Sequence, residues 1–481
     1  MSATEVVSGT GGGAAPLPRS GSVITALATA GIVVAVMQTV MIPIVPALPA
    51  LIGASVADAS WALTAPLLAG AVATPVAGRL GDMFGKRRVL LASLGILVAG
   101  SLVGAFSSSL VPLVVGRALQ GCAMGVIPLG ISLMRDELPP ERLGSAIGLM
   151  SSSLGVGGAL GLPAAAAVAQ YADWHALFWA SALMGAVALV WVARAVPESA
   201  QRSGGRFDAV GAVGLSIGLT CLLLAVSKGG AWGWTSTTTV GLLATAAVVF
   251  TGWALWELRA PDPLVDLRTT VRRQVLLTNI TSVAVGFSMF AQALVLPQLL
   301  QLPESTGYGL GRSMLVAGAC VAPGGLMMLF ISPVAARVAK AWGSKASLMI
   351  GTVIITAGYA LGLVFLDEVW QIVVVGCVIG CGVAMAYSAL PALIMSAVPT
   401  SETAAANGFN ALMRSIGTST ASAVTGVVLA YTTTQVGSLE VPTLDGFRAA
   451  LAIGAVAALA GLALAAFIPG RPRTVVGAAR P

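Results

Sequence analysis

Apolar residues in this chain form long uninterrupted runs, separated by short polar or glycine- and proline-rich breaks. The runs at 23–36, 240–255 and 449–467 contain no charged residue. A helix of about 20 apolar residues matches the hydrocarbon thickness of a bilayer, and backbone groups in lipid must be satisfied within their own segment. The pattern therefore predicts membrane-spanning helices throughout the chain.

Counting the runs predicts fourteen spans with both chain ends on one side of the membrane. The spans are 22–44, 58–79, 88–106, 110–133, 143–169, 174–195, 207–228, 236–257, 274–301, 311–334, 345–366, 370–394, 405–430 and 446–468. They group as six helices, a pair and six more. We predict a disordered cytoplasmic tail (1–21), a six-helix bundle (22–195), two extra helices with cytoplasmic linkers (196–273), a second six-helix bundle (274–468) and a cytoplasmic tail (469–481).

Composition excludes a soluble globular protein and a nucleic-acid partner. Apolar residues make up 57% of the 481 positions, charged residues 9%, and the mean hydropathy is +0.94. Soluble domains carry about a quarter charged residues because their surfaces face water. The net charge of +7 comes from basic residues scattered between apolar runs rather than gathered in a basic domain. That scatter is typical of loops on the cytoplasmic side of a membrane protein.

The distribution of basic residues supports the fourteen-span count. With the N-terminus in the cytoplasm, twenty of the 25 lysines and arginines fall in inside segments and three outside, namely Lys228, Arg312 and Arg448. An odd number of spans would break this asymmetry, which the positive-inside rule requires. The remaining two, Arg117 and Arg414, lie within predicted helices. Both ends of the chain are therefore expected in the cytoplasm of a multi-pass plasma-membrane protein.

Two related stretches indicate an internal repeat. The connection after the second span reads Pro75-Val-Ala-Gly-Arg-Leu-Gly-Asp-Met-Phe-Gly-Lys-Arg, and the connection after the tenth reads Pro333-Val-Ala-Ala-Arg-Val-Ala-Lys-Ala-Trp-Gly-Ser-Lys. Proline, valine, alanine, arginine, glycine and a basic residue recur at the same offsets. Such repeats are typical of transporters built from two pseudo-symmetric halves.

The first of these connections carries a family resemblance. Gly78-Arg-Leu-Gly-Asp-Met-Phe-Gly-Lys-Arg-Arg resembles the loop motif G-x-L-x-D-x-x-G-R-K/R-x of the major facilitator superfamily, matching at Gly78, Leu80, Asp82, Gly85 and the basic run Lys86, Arg87 and Arg88. Glycine allows a tight turn, and a carboxylate accepts charge-assisted hydrogen bonds. We interpret Gly78, Asp82, Gly85 and the basic run as a conformational latch; the alternative is a basic loop that only sets topology.

Two helix motifs extend the resemblance. Arg117-Ala-Leu-Gln-Gly resembles the R-x-x-Q-G motif, which implies a role for Arg117, Gln120 and Gly121 in the substrate or proton pathway, although a structural arginine would fit too. The stretch 155–165 resembles the antiporter motif G-x-x-x-G-P-x-x-G-G, with Pro163 displaced by one position. Gly157 and Gly161 keep the small-residue spacing of a sliding helix contact, which is also common in ordinary membrane packing.

The stretches 172–179 and 406–417 are similar to the fourteen-helix drug:proton antiporter branch, the second through the pattern N-x-x-x-R-x-x-G at Asn410 and Arg414. The resemblance covers about residues 20–470. It implies an all-α major facilitator fold, with two pseudo-symmetric six-helix bundles and two extra central helices. It also implies that transport is driven by a proton gradient.

One departure from this branch bears on selectivity. The branch has an aspartate in the first span, where this chain has Met37. All eighteen acidic residues fall in tails, loops or span ends, which predicts that no carboxylate is buried. A cavity for lipophilic cations needs a carboxylate, because an unpaired charge in low dielectric is costly. A neutral or anionic substrate is therefore expected, in a cavity lined by Arg117, Arg414, Gln38, Gln120, Gln292 and Asn410.

Without a buried acid, protons would bind near the outer face or on the substrate carboxylate itself; the alternative is that transport is only weakly coupled to protons. Asp58, Asp173 and His175 are the outer-face candidates. His175 is the only histidine, a residue type whose imidazole can bind and release protons, although an interfacial hydrogen-bonding role is commoner. The five cysteines lie in apolar runs without a histidine or carboxylate partner, so no metal site is expected.

The sequence thus predicts a monomeric secondary active exporter of a small organic molecule, embedded in lipid and without a cofactor. An importer or uniporter of a small metabolite is the alternative. A membrane-embedded enzyme would need clustered His, Asp or Glu side chains at helix depth, which the sequence lacks, and there is no phosphate-binding loop for ATP.

Overall fold

Fourteen long helices account for most of the chain. The structure is a computed structural model, and it describes residues 20–42, 44, 48–436 and 439–469. The predicted terminal tails, 1–21 and 469–481, lie almost wholly outside these residues. The long helices are α1 (Ser20–Thr39), α2 (Trp61–Phe84), α3 (Lys86–Ala105), α4 (Leu110–Glu137), α5 (Pro140–Tyr171), α6 (His175–Ala195), α7 (Ala209–Trp232), α8 (Thr237–Glu257), α9 (Arg273–Gln301), α10 (Met314–Trp342), α11 (Ser344–Val364), α12 (Val369–Met395), α13 (Thr403–Tyr431) and α14 (Leu444–Ala466).

Thirteen of these helices have the length and hydropathy of a membrane span, and α13 is the one that does not reach that hydropathy. It is 29 residues long, which corresponds to about 43 Å and is enough to cross a bilayer. Its lower hydropathy comes from threonine, serine and asparagine residues and from Arg414. The helix packs between α2 and α9, and its Asn407, Asn410 and Arg414 side chains are buried.

Each half of the chain encloses its own apolar core. In the first half, Leu27 of α1, Leu94 of α3 and Leu133 of α4 belong to one buried cluster. In the second half, Ile355 of α11 and Leu451 of α14 belong to another. The halves therefore pack as two bundles, α1–α6 and α9–α14.

The bundles meet along two seams, one between α2 and α13 and one between α5 and α10. At the second seam a Cβ atom added to Gly155 would lie 2.7 Å from the Gly325 carbonyl oxygen, so the backbones are in direct contact. Small residues at such crossings replace lipid contacts by close backbone packing.

The extra pair, α7 and α8, lies outside the first seam. Leu215, Leu219 and Leu223 of α7 share one apolar cluster with Ala71 of α2 and Leu412 of α13. Helix α8 packs on α7. The pair therefore contacts both bundles through α7.

The short elements lie in the connections. Helices Leu48–Ile52 and Val56–Ala59 join α1 to α2, and Leu267–Thr270 precedes α9. Strands β1 (Thr433–Val436) and β2 (Leu439–Pro442) form an antiparallel hairpin between α13 and α14, with Thr434 opposite Val441. The Tyr308 hydroxyl, in the α9–α10 connection, donates to the Pro442 carbonyl and ties two loops of the second bundle together.

The helix count predicts the side on which each loop is labelled. With the five native cysteines replaced, single cysteines at Ser203 and Thr269 should react with an impermeant maleimide from one side of the membrane. Cysteines at Ser236 and Ser305 should react from the other side, because an odd number of spans, one or three, separates them from each member of the first pair. Labelling of Ser203 and Thr269 from opposite sides would mean that α7 and α8 do not both cross.

Candidate functional site

A single glycine makes the turn between α2 and α3. Gly85 has a φ of +112°, in the region that favours glycine. A Cβ atom there would also lie 2.7 Å from Oε1 of Glu198. The turn places the end of α2, the start of α3 and the chain after α6 side by side; we call this side of the protein the motif face.

Asp82, near the end of α2, binds the first turn of α13. Its Oδ1 and Oδ2 atoms accept hydrogen bonds from the Ala404 and Ala405 backbone N–H groups at 3.2 and 2.8 Å. These N–H groups have no acceptor within the helix, and the positive end of the helix dipole favours an anion there. A Cβ atom on Gly78 would lie 2.5 Å from the Ala404 carbonyl oxygen, so this glycine permits the approach.

Lys86 links this carboxylate to a second one. Its Nζ atom lies 3.6 Å from Oδ1 of Asp82 and 2.6 Å from Oδ2 of Asp136, at the end of α4. It also donates to Oγ1 of Thr403 at 3.0 Å, across the seam in the second bundle. Asp82 and Lys86 are fully buried. Helices α2, α3, α4 and α13 therefore meet at one buried charge cluster.

The segment after α6 covers this cluster. Ser199 donates to Oδ2 of Asp136 at 2.5 Å, and the Ser203 backbone N–H donates to the Asp82 carbonyl oxygen at 2.8 Å. Glu198 accepts from the Arg87 backbone N–H at 3.1 Å and pairs with the largely exposed Arg88 at 3.6 Å. The basic run thus divides into a buried Lys86 and two residues held by the linker.

The expectation that no carboxylate is buried is wrong for the described residues. Asp82 has no exposed surface, Glu257 is 3% exposed, and the Asp136 side chain is 3% exposed. The sequence analysis placed Asp82 and Asp136 in loops and Glu257 at a span end, and in the structure all three lie near helix ends. They are buried because the segments between the bundles fold over those ends and exclude water. Span position in the sequence alone does not reveal this cover.

Arg117 is enclosed by helix backbones. Nε donates to the Ala62 carbonyl oxygen at 3.0 Å, and Nη1 donates to the Met37 carbonyl oxygen and to Oε1 of Gln120, both at 2.7 Å. Gln120 in turn donates to Oγ of Ser101 at 2.8 Å. The fork of one guanidinium therefore joins α1, α2 and α4, and Arg117 is 1% exposed. A Cβ atom on Gly121 would lie 2.2 Å from the Pro66 carbonyl oxygen, so the absence of a side chain at Gly121 allows α4 to pack this closely on α2.

Arg414, on α13, is a buried charge in the second bundle. Nη1 donates to Oδ1 of Asn410 at 2.6 Å, and the guanidinium lies 5.2 Å from the centre of the Tyr387 ring. Asn410 donates to Oδ1 of Asn279 at 2.9 Å and to Oγ of Ser282 at 2.7 Å. None of these partners is a carboxylate. Gln38 on α1 and Gln292 on α9 are half-buried.

The antiporter-like stretch of α5 faces two neighbours. Cβ atoms on Gly157 and Gly161 would collide with Ala35 and Thr39 of α1, at 2.3 and 2.2 Å. Pro163 lies on another side of the helix, where its backbone nitrogen is 3.5 Å from the Cβ position of Gly318 on α10. Helix α5 therefore contacts α1 within its own bundle and α10 in the other.

The outer-face candidates form two small groups. His175 Nδ1 lies 2.5 Å from Oδ1 of Asp173, and Nε2 lies 2.8 Å from the Ser107 carbonyl oxygen, so the ring ties the start of α6 to the end of α3. The His175 backbone N–H, donating to Oδ1 at 2.8 Å, holds the pKa of the exposed Asp173 carboxyl below its usual value. Asp58 is exposed and accepts from Ser55 at 2.7 Å.

The sequence analysis did not identify several residues that contact the latch. Asp136, Glu198, Ser199 and Thr403 touch it, and Asn407 of α13 donates to Oγ of Ser132 of α4 at 3.2 Å in the same half of the seam. The acidic residues near the end of α4 could have indicated a partner for Lys86, because a buried lysine needs a counter-charge. The pairing of α4 with α13 had no such signal, since the residues are 275 positions apart.

Comparison with known proteins identifies the family. The sequence model described as Major Facilitator Superfamily matches residues 27–422 and 326–481. The chain is 29% identical, over 95% of its length and 87% of the relative's, to a tetracenomycin C resistance and export protein of Streptomyces glaucescens. It is 25% identical to multidrug resistance protein 3 of Bacillus subtilis, over 77% of this chain and 72% of that one.

The fold is similar to a solved transporter. The crystal structure of the human organic anion transporter MFSD10 (TETRAN) superposes with a TM-score of 0.66 at 15% identity, covering 93% of this chain and all of the other. The likeness in fold agrees with the sequence match over nearly the whole chain. This multi-pass membrane protein belongs to the Major Facilitator Superfamily.

Proposed function

We propose that the protein exports a small organic molecule, of drug or antibiotic type, across the plasma membrane in exchange for protons. The observation that carries the proposal is the similarity over 95% of the chain to a protein named for antibiotic resistance and export. In this proposal the motif face is the cytoplasmic side, and both chain ends lie in the cytoplasm.

The geometry supports alternating access. At the motif face the bundles are joined by buried contacts: Asp82 with the start of α13, Lys86 with Thr403, and Asn407 with Ser132. Each has a partner in the other bundle, so opening that face breaks them together. In the open state water replaces the protein partners of Asp82 and Lys86, so the cost of separation stays limited. The latch therefore holds the face closed without making closure permanent.

The buried cations favour a neutral or anionic substrate. Arg414 is 8% exposed and its described contacts are an amide and an aromatic ring. An anion beside such a guanidinium gains an attraction that low dielectric strengthens, whereas a lipophilic cation meets repulsion. Arg117 contributes to the same positive field, although its nitrogens are engaged by the backbone of α1 and α2.

Loss of the Asp82 charge tests the latch. Asp82→Asn should lower the rate of transport by about tenfold, because charge-assisted hydrogen bonds contribute about 1.5–3 kcal/mol and an amide accepts through one oxygen only. Transport is measured in proteoliposomes, and membrane insertion is checked by expression and gel filtration. Asp445→Asn, on an exposed side chain, is the matched control. An unchanged rate in Asp82→Asn would leave the loop with a topological role only.

Arg117 tests the requirement for a planar fork. Arg117→Ala should abolish export, and Arg117→Lys should retain less than about a tenth of it, because one ammonium group cannot reproduce donation from two separate nitrogens to Ala62 and to Met37. The midpoint temperature of thermal unfolding should be lower in both variants than in the parent. Arg142→Lys, on an exposed side chain in the first turn of α5, should behave like the parent. Full activity of Arg117→Lys would show that charge alone suffices.

Direction, coupling and selectivity are tested together in inside-out vesicles. Acidifying the vesicle interior should drive accumulation of carboxylated or neutral antibiotics, with ethidium-type cations carried poorly. Met37→Asp should raise cation transport only weakly, because the new carboxylate would lie beside Arg117 and pair with it. Proton-driven accumulation of cations without anions would overturn the selectivity. Insensitivity to the proton gradient would favour a uniporter.

A further inference from the structure

A cavity of about 670 Å³ lies on the side of the protein opposite the motif face. Its walls are the α9–α10 connection, through Leu310 and Arg312, and the start of α12, through 367–370, Val373 and Val374. Seven long helices, α3–α9, separate the motif turn from the α9–α10 connection, and an odd number of crossings puts the two on opposite sides of the membrane. No residue of the latch or of the expected substrate pathway lines this cavity.

One wall of the cavity is apolar and faces the bilayer. Trp370 and Val374 lie one turn apart on α12 and are 60% and 44% exposed. Helix α12 has the length and hydropathy of a membrane span, so apolar side chains exposed on it contact acyl chains. Trp370 is the second residue of the helix, and tryptophan is enriched at the level where headgroups meet hydrocarbon. The cavity therefore opens at the boundary between headgroups and acyl chains.

The rest of the wall carries opposite charges that do not pair with each other. Arg312, Asp367 and Glu368 are all exposed, so a molecule in the cavity can contact each of them. Among the ion pairs of the described residues, none joins Arg312 to either carboxylate. The cavity therefore offers a positive and a negative group to a ligand at the same time.

Backbone contacts hold these charged residues in place. The Arg312 backbone N–H donates to the Leu300 carbonyl oxygen at 2.8 Å, which folds the connection back on the end of α9. The Gln371 side chain accepts from the Asp367 and Glu368 backbone N–H groups at 2.9 and 3.3 Å. Glu368 belongs with Gln371 to the capping box of α12, so its carboxylate serves the helix start. The Asp367 carboxylate accepts no hydrogen bond among the described residues, and it is the one available to a ligand.

We propose that this cavity binds a phospholipid with a primary ammonium headgroup, such as phosphatidylethanolamine, in the leaflet opposite the motif face. The phosphate binds the Arg312 guanidinium, whose fork suits phosphate oxygens, and the ammonium group donates to Asp367. The acyl chains lie along Trp370 and Val374. An anionic headgroup brings no cation to the carboxylates, and a trimethylammonium group has no N–H to donate. Both walls belong to the second bundle, so binding stabilises that bundle by mass action.

The test measures lipid binding to the purified full chain by native mass spectrometry, with dioleoyl-phosphatidylethanolamine, dioleoyl-phosphatidylcholine and dioleoyl-phosphatidylglycerol as probes. The parent should bind phosphatidylethanolamine about fivefold more tightly than the other two, the effect of one exposed ion pair. Asp367→Asn should lose this preference. Arg312→Gln should weaken the binding of all three lipids, because each carries the phosphate. Asp445→Asn and Arg448→Gln, in the first turns of α14 on the same side of the membrane, are the matched controls and should bind like the parent.

A second measurement separates a lipid from a soluble zwitterion. The midpoint of thermal unfolding should rise saturably with phosphatidylethanolamine in the parent and rise less in Asp367→Asn. The soluble headgroup sn-glycero-3-phosphoethanolamine should not raise it at the same concentration, because it has no acyl chains to lie on Trp370 and Val374. An equal shift with the soluble headgroup would overturn the lipid as the occupant. Equal affinity of the parent for the three lipids, or a preference that persists in Asp367→Asn, would overturn the site. Neither readout depends on which molecule is exported.

Discussion

The contact between the Asp82 carboxylate and the first turn of α13 determines how the two bundles are held at the motif face. A carboxylate placed there satisfies N–H groups that no helical carbonyl reaches, and it does so with a favourable helix dipole. The contact requires a close approach of α2 and α13, which Gly78 permits. It also leaves a buried negative charge, which Lys86 partly neutralises, and Lys86 in turn requires Asp136. One anion at one helix end thus accounts for the composition of the surrounding cluster.

The two halves repeat in sequence but differ in this chemistry. The position that corresponds to Asp82 in the second connection is Lys340, which is exposed. The second-half basic residue Lys345 donates to the Ala466 carbonyl oxygen, at the end of α14 in its own bundle. The repeat therefore preserves the turn and the helix arrangement, whereas the charge that spans the seam is present once. A single asymmetric contact is sufficient to bias one face of a pseudo-symmetric bundle.

The architecture was predictable because lipid imposes a simple rule on sequence. Apolar runs predict where the helices lie, and the basic residues predict which side of the membrane each loop faces. Even α13, whose hydropathy is low, was predicted from its length and flanking charges. The partners of the latch were less accessible. Asp82 was recognised from a local motif, but the groups that donate to it are the backbone N–H groups of Ala404 and Ala405, and backbone groups carry no residue-type signal. Burial of Glu257 and Asp136 depends on linkers that fold back over the helix ends, and apolar periodicity contains no information about that cover.

The position of α7 has a mechanical consequence. Near the C-terminal end of α7, Lys228 donates to Ser60, just before α2, and lies 4.9 Å from the Trp61 ring, which attaches α7 to the first bundle by polar contacts. Its contact with α13 consists of apolar side chains such as Leu219 and Leu412. In a bilayer, acyl chains replace such contacts at little cost, so this surface resists shear weakly. If α2 and α13 separate, we expect the extra pair to move with the first bundle and to oppose the separation only weakly.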